Sequence, residues 1–203
     1  MRALLLVDLQ NDFMPDGALP VPRGDQVVPT ANSLLERFDL KVASKDWHPP
    51  DHLSFASQHA SKRPGDRIEL EGLDQTLWPD HCVQGTPGAE FHPALHVDRL
   101  DHIVLKGTDR KIDSYSAFYD NARRRSTGLT AYLRERQVDE IVIMGLATDY
   151  CVLFSALDAV RDGFEVKLAA DGCRGIGLQP GDVQRALDKM RDEGVAIVHS
   201  EEL

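Results

Sequence analysis

Asp8, Lys106 and Cys151 offer a carboxylate to move a proton, an ammonium to hold charge and a thiol to attack. Each stands at or just beyond the end of a short apolar run. Ala3–Val7 closes on Asp8, His102–Leu105 closes on Lys106-Gly107, and Glu140–Met144 closes on Gly145, shortly before Cys151. Ligands of open α/β sheets bind at the carboxyl ends of the strands. If these runs are neighbouring parallel strands, the three side chains meet. A thiolate is the nucleophile, so the free-thiol pKa of about 8.5 is expected to fall. Cys151 ends the segment Gly145-Leu146-Ala147-Thr148-Asp149-Tyr150-Cys151 and is placed to open a helix, where free N–H groups favour an anion. Lys106 would lower that pKa further, and Asp8 would take the thiol proton and return it to a leaving amine. The N–H groups of Ala147 and Cys151 are the expected oxyanion donors. A cysteine taken alone is most often inert core. The strand–turn–helix position sets Cys151 apart from Cys82 and Cys173.

A second constellation is rich in histidine. Seven of the 8 histidines fall between His48 and His102. Asp46-Trp47-His48 follows a weak apolar run at Lys41–Ser44, and residues two apart at a strand end point the same way. His52, four residues on, and His81, in Trp78-Pro79-Asp80-His81-Cys82, are candidate further imidazoles. One carboxylate with two or three imidazoles suits a divalent ion, zinc first and iron or manganese next. Such an ion either holds a polar ring atom beside the thiol or activates water. Spacing leaves both roles open, and solvated loop histidines are the plain alternative. His59, His92, His96, His102 and His199 read as surface or packing residues.

The elements that must position these groups alternate. Glu165–Ala170 and Val195–Val198 complete six Val/Ile/Leu runs, which suit strands buried on both faces of a parallel sheet. Helical spacing links Val27, Ala31, Leu34, Leu35 and Phe38, and again Leu129, Tyr132 and Leu133 after a cap at Ser126 or Thr127. A third helix carries Val152 to Val160 and stops at Gly163; a fourth carries Val183 to Met190 and stops at Gly194. This βαβα order predicts an α/β fold, a three-layer sandwich of a mostly parallel six-stranded sheet with helices on both faces. Residues 1–203 read as one domain, and 46–100 as an irregular but ordered excursion anchored by Trp47, Phe55, Leu70, Leu77, Trp78 and Phe91.

The net charge of −10 argues against a nucleic-acid or anionic-membrane partner. Three cysteines without a CxxC pair point to a reducing, cytoplasmic setting. No apolar run approaches the roughly 20 residues of a membrane span.

The motifs together resemble the nicotinamidase (pyrazinamidase) family of the isochorismatase-like cysteine hydrolases. They are Leu6-Val7-Asp8-Leu9-Gln10-Asn11-Asp12-Phe13, Asp46-Trp47-His48-Pro49, His52-Leu53-Ser54-Phe55-Ala56, Trp78 through Thr86, Lys106-Gly107, Asp113 through Phe118 and Gly145 through Val152. The resemblance spans essentially the whole chain. It implies hydrolysis of nicotinamide to nicotinic acid and ammonia through a Cys151 thioester, in NAD salvage, with pyrazinamide also accepted. It implies a triad of Asp8, Lys106 and Cys151 and a divalent metal on Asp46, His48 and His81 that binds the pyridine nitrogen directly or through water. Phe13 and Trp78 would line the ring pocket, and the Leu146–Ala147 peptide would be cis. The alternatives are another hydrolase or amidase of the superfamily, whose members generally lack the full metal set, or a non-catalytic metal or ligand binder. A small molecule is the expected partner, and a homo-oligomer remains open.

Overall fold

The run Leu4-Leu5-Leu6-Val7 is 1% exposed or less at every residue, so both of its faces are covered. That is the environment of a central parallel strand. In the computed structural model, which describes residues 1–203, it lies in β1 (Arg2–Val7). The other strands are β2 (Leu40–Asp46), β3 (Arg67–Leu70), β4 (Leu73–Thr76), β5 (His102–Lys106), β6 (Glu140–Leu146), β7 (Glu165–Arg174) and β8 (Ala196–Val198). Six form one sheet in the order β5-β2-β1-β6-β7-β8, every neighbouring pair parallel. β1 therefore sits between the strands that lead to the metal motif and to the cysteine motif. The register places Asp46 beside Lys106 and Val7 beside Gly145.

Four helices complete the fold: α1 (Val28–Leu35), α2 (Leu129–Glu135), α3 (Leu153–Arg161) and α4 (Asp182–Asp192). α1 packs on β1 and β7, α3 on β7 and α4, and α4 on β8. Each fully buried Leu or Ile contributes roughly 1.5–3 kcal/mol by leaving water. The core joins all six sheet strands to these helices. None of the helices is long and apolar enough to cross a membrane.

Three sequence expectations shift. α1 stops at Leu35 rather than reaching Phe38, which is buried beyond the helix end. α2 is capped at Gly128, in the left-handed region. Ser126 and Thr127 accept from the N–H groups of Gly128 and Leu129 just upstream of the helix, instead of forming the cap. The excursion is less irregular than its composition suggests. β3 and β4 pair antiparallel as a separate hairpin, and their four-residue strands are too short to show a period of two.

Candidate active site

Lys106 is the hub of the site. Its side chain is fully buried at the end of β5. Its Nζ lies 2.9 Å from Asp8 Oδ2, 2.6 Å from Asp46 Oδ1 and 3.4 Å from Cys151 Sγ, and donates to the Ser114 carbonyl at 2.9 Å. Three donors of the Asp8, Asp46 and Cys151 side chains lie within 4.8 Å of one another. The acid, the ammonium and the thiol therefore converge from β1, β5 and the turn after β6, as the strand-end argument expects.

The backbone aims these groups. Asp8 leaves β1 with φ +52, the left-handed region that Asp tolerates better than most residues. Its Oδ1 accepts from the Ser44 hydroxyl at 2.6 Å. Gly145 has φ +130, and a Cβ there would sit 2.2 Å from the Val7 carbonyl oxygen, so only glycine lets β6 pass β1 here. The Leu146–Ala147 peptide is cis. Cys151 falls in a wide turn, Thr148–Val152, that runs into α3, rather than in α3 itself. The Ala147 carbonyl accepts from Tyr150 and Val152, while the Ala147 N–H has no backbone partner.

The electrostatics correct one expectation. Burial pushes the Cys151 thiol well above its usual range; Lys106 opposes this, but Asp8 and Asp46 reinforce it. Burial is the largest of these effects and the Lys106 ammonium does not offset it, so the resting cysteine is a thiol. Burial also raises Asp8 above the ordinary carboxylate range, against the pull of Lys106. An acid with a raised pKa suits a group that first takes and later returns a proton. Lys106 stays charged: burial would lower its pKa, but Asp46 and Asp8 hold it well above the usual lysine value.

Beside the triad, Asp46, His48 and His81 bring three donor atoms within 4.8 Å of one another. Asp46 Oδ2 lies 3.7 Å from His48 Nε2 and 3.9 Å from His81 Nε2. Both rings are turned by a carbonyl: His48 Nδ1 lies 2.9 Å from Gly107 O, and His81 Nδ1 lies 2.8 Å from Pro79 O. That pattern fixes the proton on Nδ1 and leaves Nε2 free to ligate. His48 Nε2 is buried without a hydrogen-bond partner. Burial and the neighbouring His48 push His81 down to about 4, so its ring is neutral at pH 7. Despite burial, Lys106 and His48 keep Asp46 ionised far below the carboxylate range. Two imidazoles that each turn Nε2 toward Asp46, with that carboxylate, fit a divalent cation.

His52 stands apart from that trio. Its ring centroid is 4.4 Å from that of His48, but its donor groups with His48 and Asp113. Its Nδ1 meets Ser54 Oγ at 2.7 Å, and its Nε2 is buried and unpartnered. The remaining histidines make local contacts, such as His102 stacked on Tyr132.

Two residues hold the metal motif from a distance. Gln10, fully buried, donates to the carbonyls of Asp46 and Ala89 at 2.8 and 2.9 Å and accepts from the Asp46 N–H at 2.8 Å. Gln10→Leu leaves three buried backbone groups unpaired. At roughly 1–3 kcal/mol for each group, the expected loss is about 3 kcal/mol or more, measured by urea denaturation. Gly107, at φ +64, faces His48: a Cβ would lie 2.3 Å from its Cε1. Gly107→Ala is expected to weaken metal affinity about 10–100-fold in a direct metal titration, the usual effect of disturbing a ligand's support.

A cavity opens on Cys151 and is lined by Phe13, Asp46, Trp78, His81, Asp113, Tyr115, Ala147, Tyr150 and Ile176 among others. Phe13 and Trp78, which the resemblance would set around a bound ring, both line this cavity. Tyr115, Tyr150 and Asp113 had no assigned role. Trp78 packs edge-on against Tyr150 at 4.8 Å, and Tyr115 against Tyr150 at 5.4 Å. Position next to the nucleophile was the only sequence signal for Tyr150.

The isochorismatase domain model matches residues 2–202. The chain is 50% identical to the nicotinamidase of Escherichia coli strain K12, over 97% of this chain and 93% of that protein. It superposes on the nicotinamidase/pyrazinamidase structure of Acinetobacter baumanii with a TM-score of 0.96 at 44% identity, covering 99% of this chain and 97% of that one. The pyrazinamidase of Pyrococcus horikoshii in complex with zinc gives a TM-score of 0.80 at 40% identity, with 98% of each chain covered. By sequence, by fold and by the convergence of its strand-end residues, the chain belongs to the isochorismatase family.

Proposed function

We propose that this protein is a metal-dependent nicotinamidase that hydrolyses nicotinamide to nicotinic acid and ammonia, and that it also accepts pyrazinamide. The convergence of Asp8, Lys106 and Cys151 beside an intact Asp46/His48/His81 donor set carries the reading. A full triad disfavours a non-catalytic binder, and a full donor set disfavours a metal-free relative.

In the proposed mechanism Asp8 takes the Cys151 proton as the sulfur attacks the carboxamide carbon. The oxyanion accepts hydrogen bonds from the N–H groups of Ala147 and Cys151. Asp8 then protonates departing ammonia and deprotonates the water that attacks the thioester; as the C–S bond breaks, Asp8 returns that proton to the Cys151 sulfur and nicotinic acid leaves. Lys106 holds Asp8 in place and balances its charge. Phe13 and Trp78 confine the ring. Asp46, His48 and His81 would hold the divalent ion, zinc being the proposed metal, which when bound supplies a Lewis-acid anchor for the ring nitrogen. Three free cysteines fit a reducing cytoplasm.

Ammonia release from nicotinamide by metal-replete protein tests the reading; no release overturns it. Stripping the metal is expected to lower kcat/KM about 10²-fold or more, with restoration on adding zinc. Unchanged activity in protein shown to be metal-free would remove the anchoring role.

A further inference from the structure

The cavity beside Cys151 has a volume of about 20 Å³. That is a narrow space, its free centre about the size of one water. Phe13 and Trp78 are packed in the interior, at 4% and 3% exposure, and Asp46, His81 and Cys151 are tied into the site. Tyr115 differs from all of these. It is partly exposed, as are Leu19, Tyr150 and Ile176, and it is the single residue common to this cavity and to a neighbouring surface groove of about 220 Å³.

The Tyr115 ring is held as a partition. Its hydroxyl accepts from Trp78 Nε1 at 3.1 Å and from Gln75 Nε2 of the β3–β4 hairpin at 3.2 Å. Its ring packs at 5.3 Å on Phe154, which is 41% exposed. On the groove side lie Leu73 and Phe154, with charged groups that already satisfy one another. Asp158 pairs with Arg123 and Arg161, and Asp120 accepts from the N–H groups of Arg124 and Arg125. A space with apolar walls and matched charge suits a neutral, apolar substituent.

We propose that Tyr115 is a specificity-determining residue: its ring separates the substrate cavity from the groove and so restricts the enzyme to small single-ring amides. The inference rests on the nicotinamidase reading. Shortening the side chain joins the two spaces and admits a pyridine-3-carboxamide whose added group projects into the groove.

The test compares kcat/KM for nicotinamide with that for its 4-, 5- and 6-phenyl derivatives. Tyr115→Ala is expected to shift the ratio toward at least one phenyl derivative by about 10²-fold, the scale at which a hydrophobic pocket discriminates by size. Tyr115→Phe keeps the partition and loses only the hydroxyl contacts, so its ratio stays at the wild-type value. If Tyr115→Ala fails to fold, Tyr115→Leu with the 5-methyl derivative reads the same shift. An unchanged ratio in the shortened variants overturns the proposal, as does an equal shift in Tyr115→Phe, which would assign the effect to the hydroxyl. Failure of the metal-replete wild type to hydrolyse nicotinamide would instead overturn the underlying function.

Discussion

Cys151→Ala is expected to lower ammonia release from nicotinamide at least about 10⁴-fold while the protein stays folded, as loss of a covalent nucleophile does elsewhere. The folded state survives because the charged groups around the thiol keep their partners. Lys106 still pairs with Asp8 and Asp46, and Ser44 still donates to Asp8. A buried thiol replaced by a methyl group costs little beyond a small void. Cys151→Ser is expected to be nearly as inactive. The site makes the thiolate only at the moment of attack, by handing its proton to Asp8, and a serine hydroxyl is a far weaker acid than a thiol. Parallel ammonia assays and thermal melts check both variants. Activity within tenfold of wild type in Cys151→Ala would end the thioester mechanism.

Lys106→Met strikes both stability and catalysis. The ammonium lies between two buried carboxylates, and its removal leaves Asp8 without a cationic partner while Asp46 keeps only its histidine neighbours. Breaking a buried ion pair on one side costs about 3–5 kcal/mol. For a chain of this length that lowers Tm by about 10 °C. Activity is expected to fall about 10³-fold with it, because Asp8 without its partner gains a proton and no longer accepts one from Cys151. Lys106→Arg is not expected to rescue, since a planar guanidinium does not fit a point-charge site with three close acceptors. A melt at the wild-type temperature would show that the carboxylates find compensation elsewhere.

What the sequence made legible was the local part of each element. Apolar runs marked all six sheet strands to within about two residues at most ends, and Asp8, Lys106 and Cys151 were found because strand ends in a parallel sheet point at one crevice. Asp46 and His48 were singled out as candidate ligands because they are two residues apart, and the structure brings their donor atoms together. The parts that escaped are those made by contacts between distant segments. Gln10 reaches 36 residues along the chain to clamp Asp46, and Ser44 reaches back 36 to Asp8. Gln75 reaches 40 residues to Tyr115. No period or spacing encodes such pairs. The thiol's state was misjudged for a related reason. A helix end and a lysine were visible in the sequence, but the second carboxylate and the depth of burial that outweigh them were not.

The placement of β1 also has a consequence for synthesis. One edge of β1 is covered by β2, which follows within 40 residues, but the other is covered by β6, which begins at Glu140. A nascent chain carries its most apolar strand with an open edge until two thirds of the protein has been made. Exposed strand edges template wrong pairings, and late, non-local pairing is slow. The strand that presents Asp8 is thus also the segment most in need of shielding on the ribosome, and no N-terminal fragment ending before β6 can be expected to persist as a soluble, folded piece.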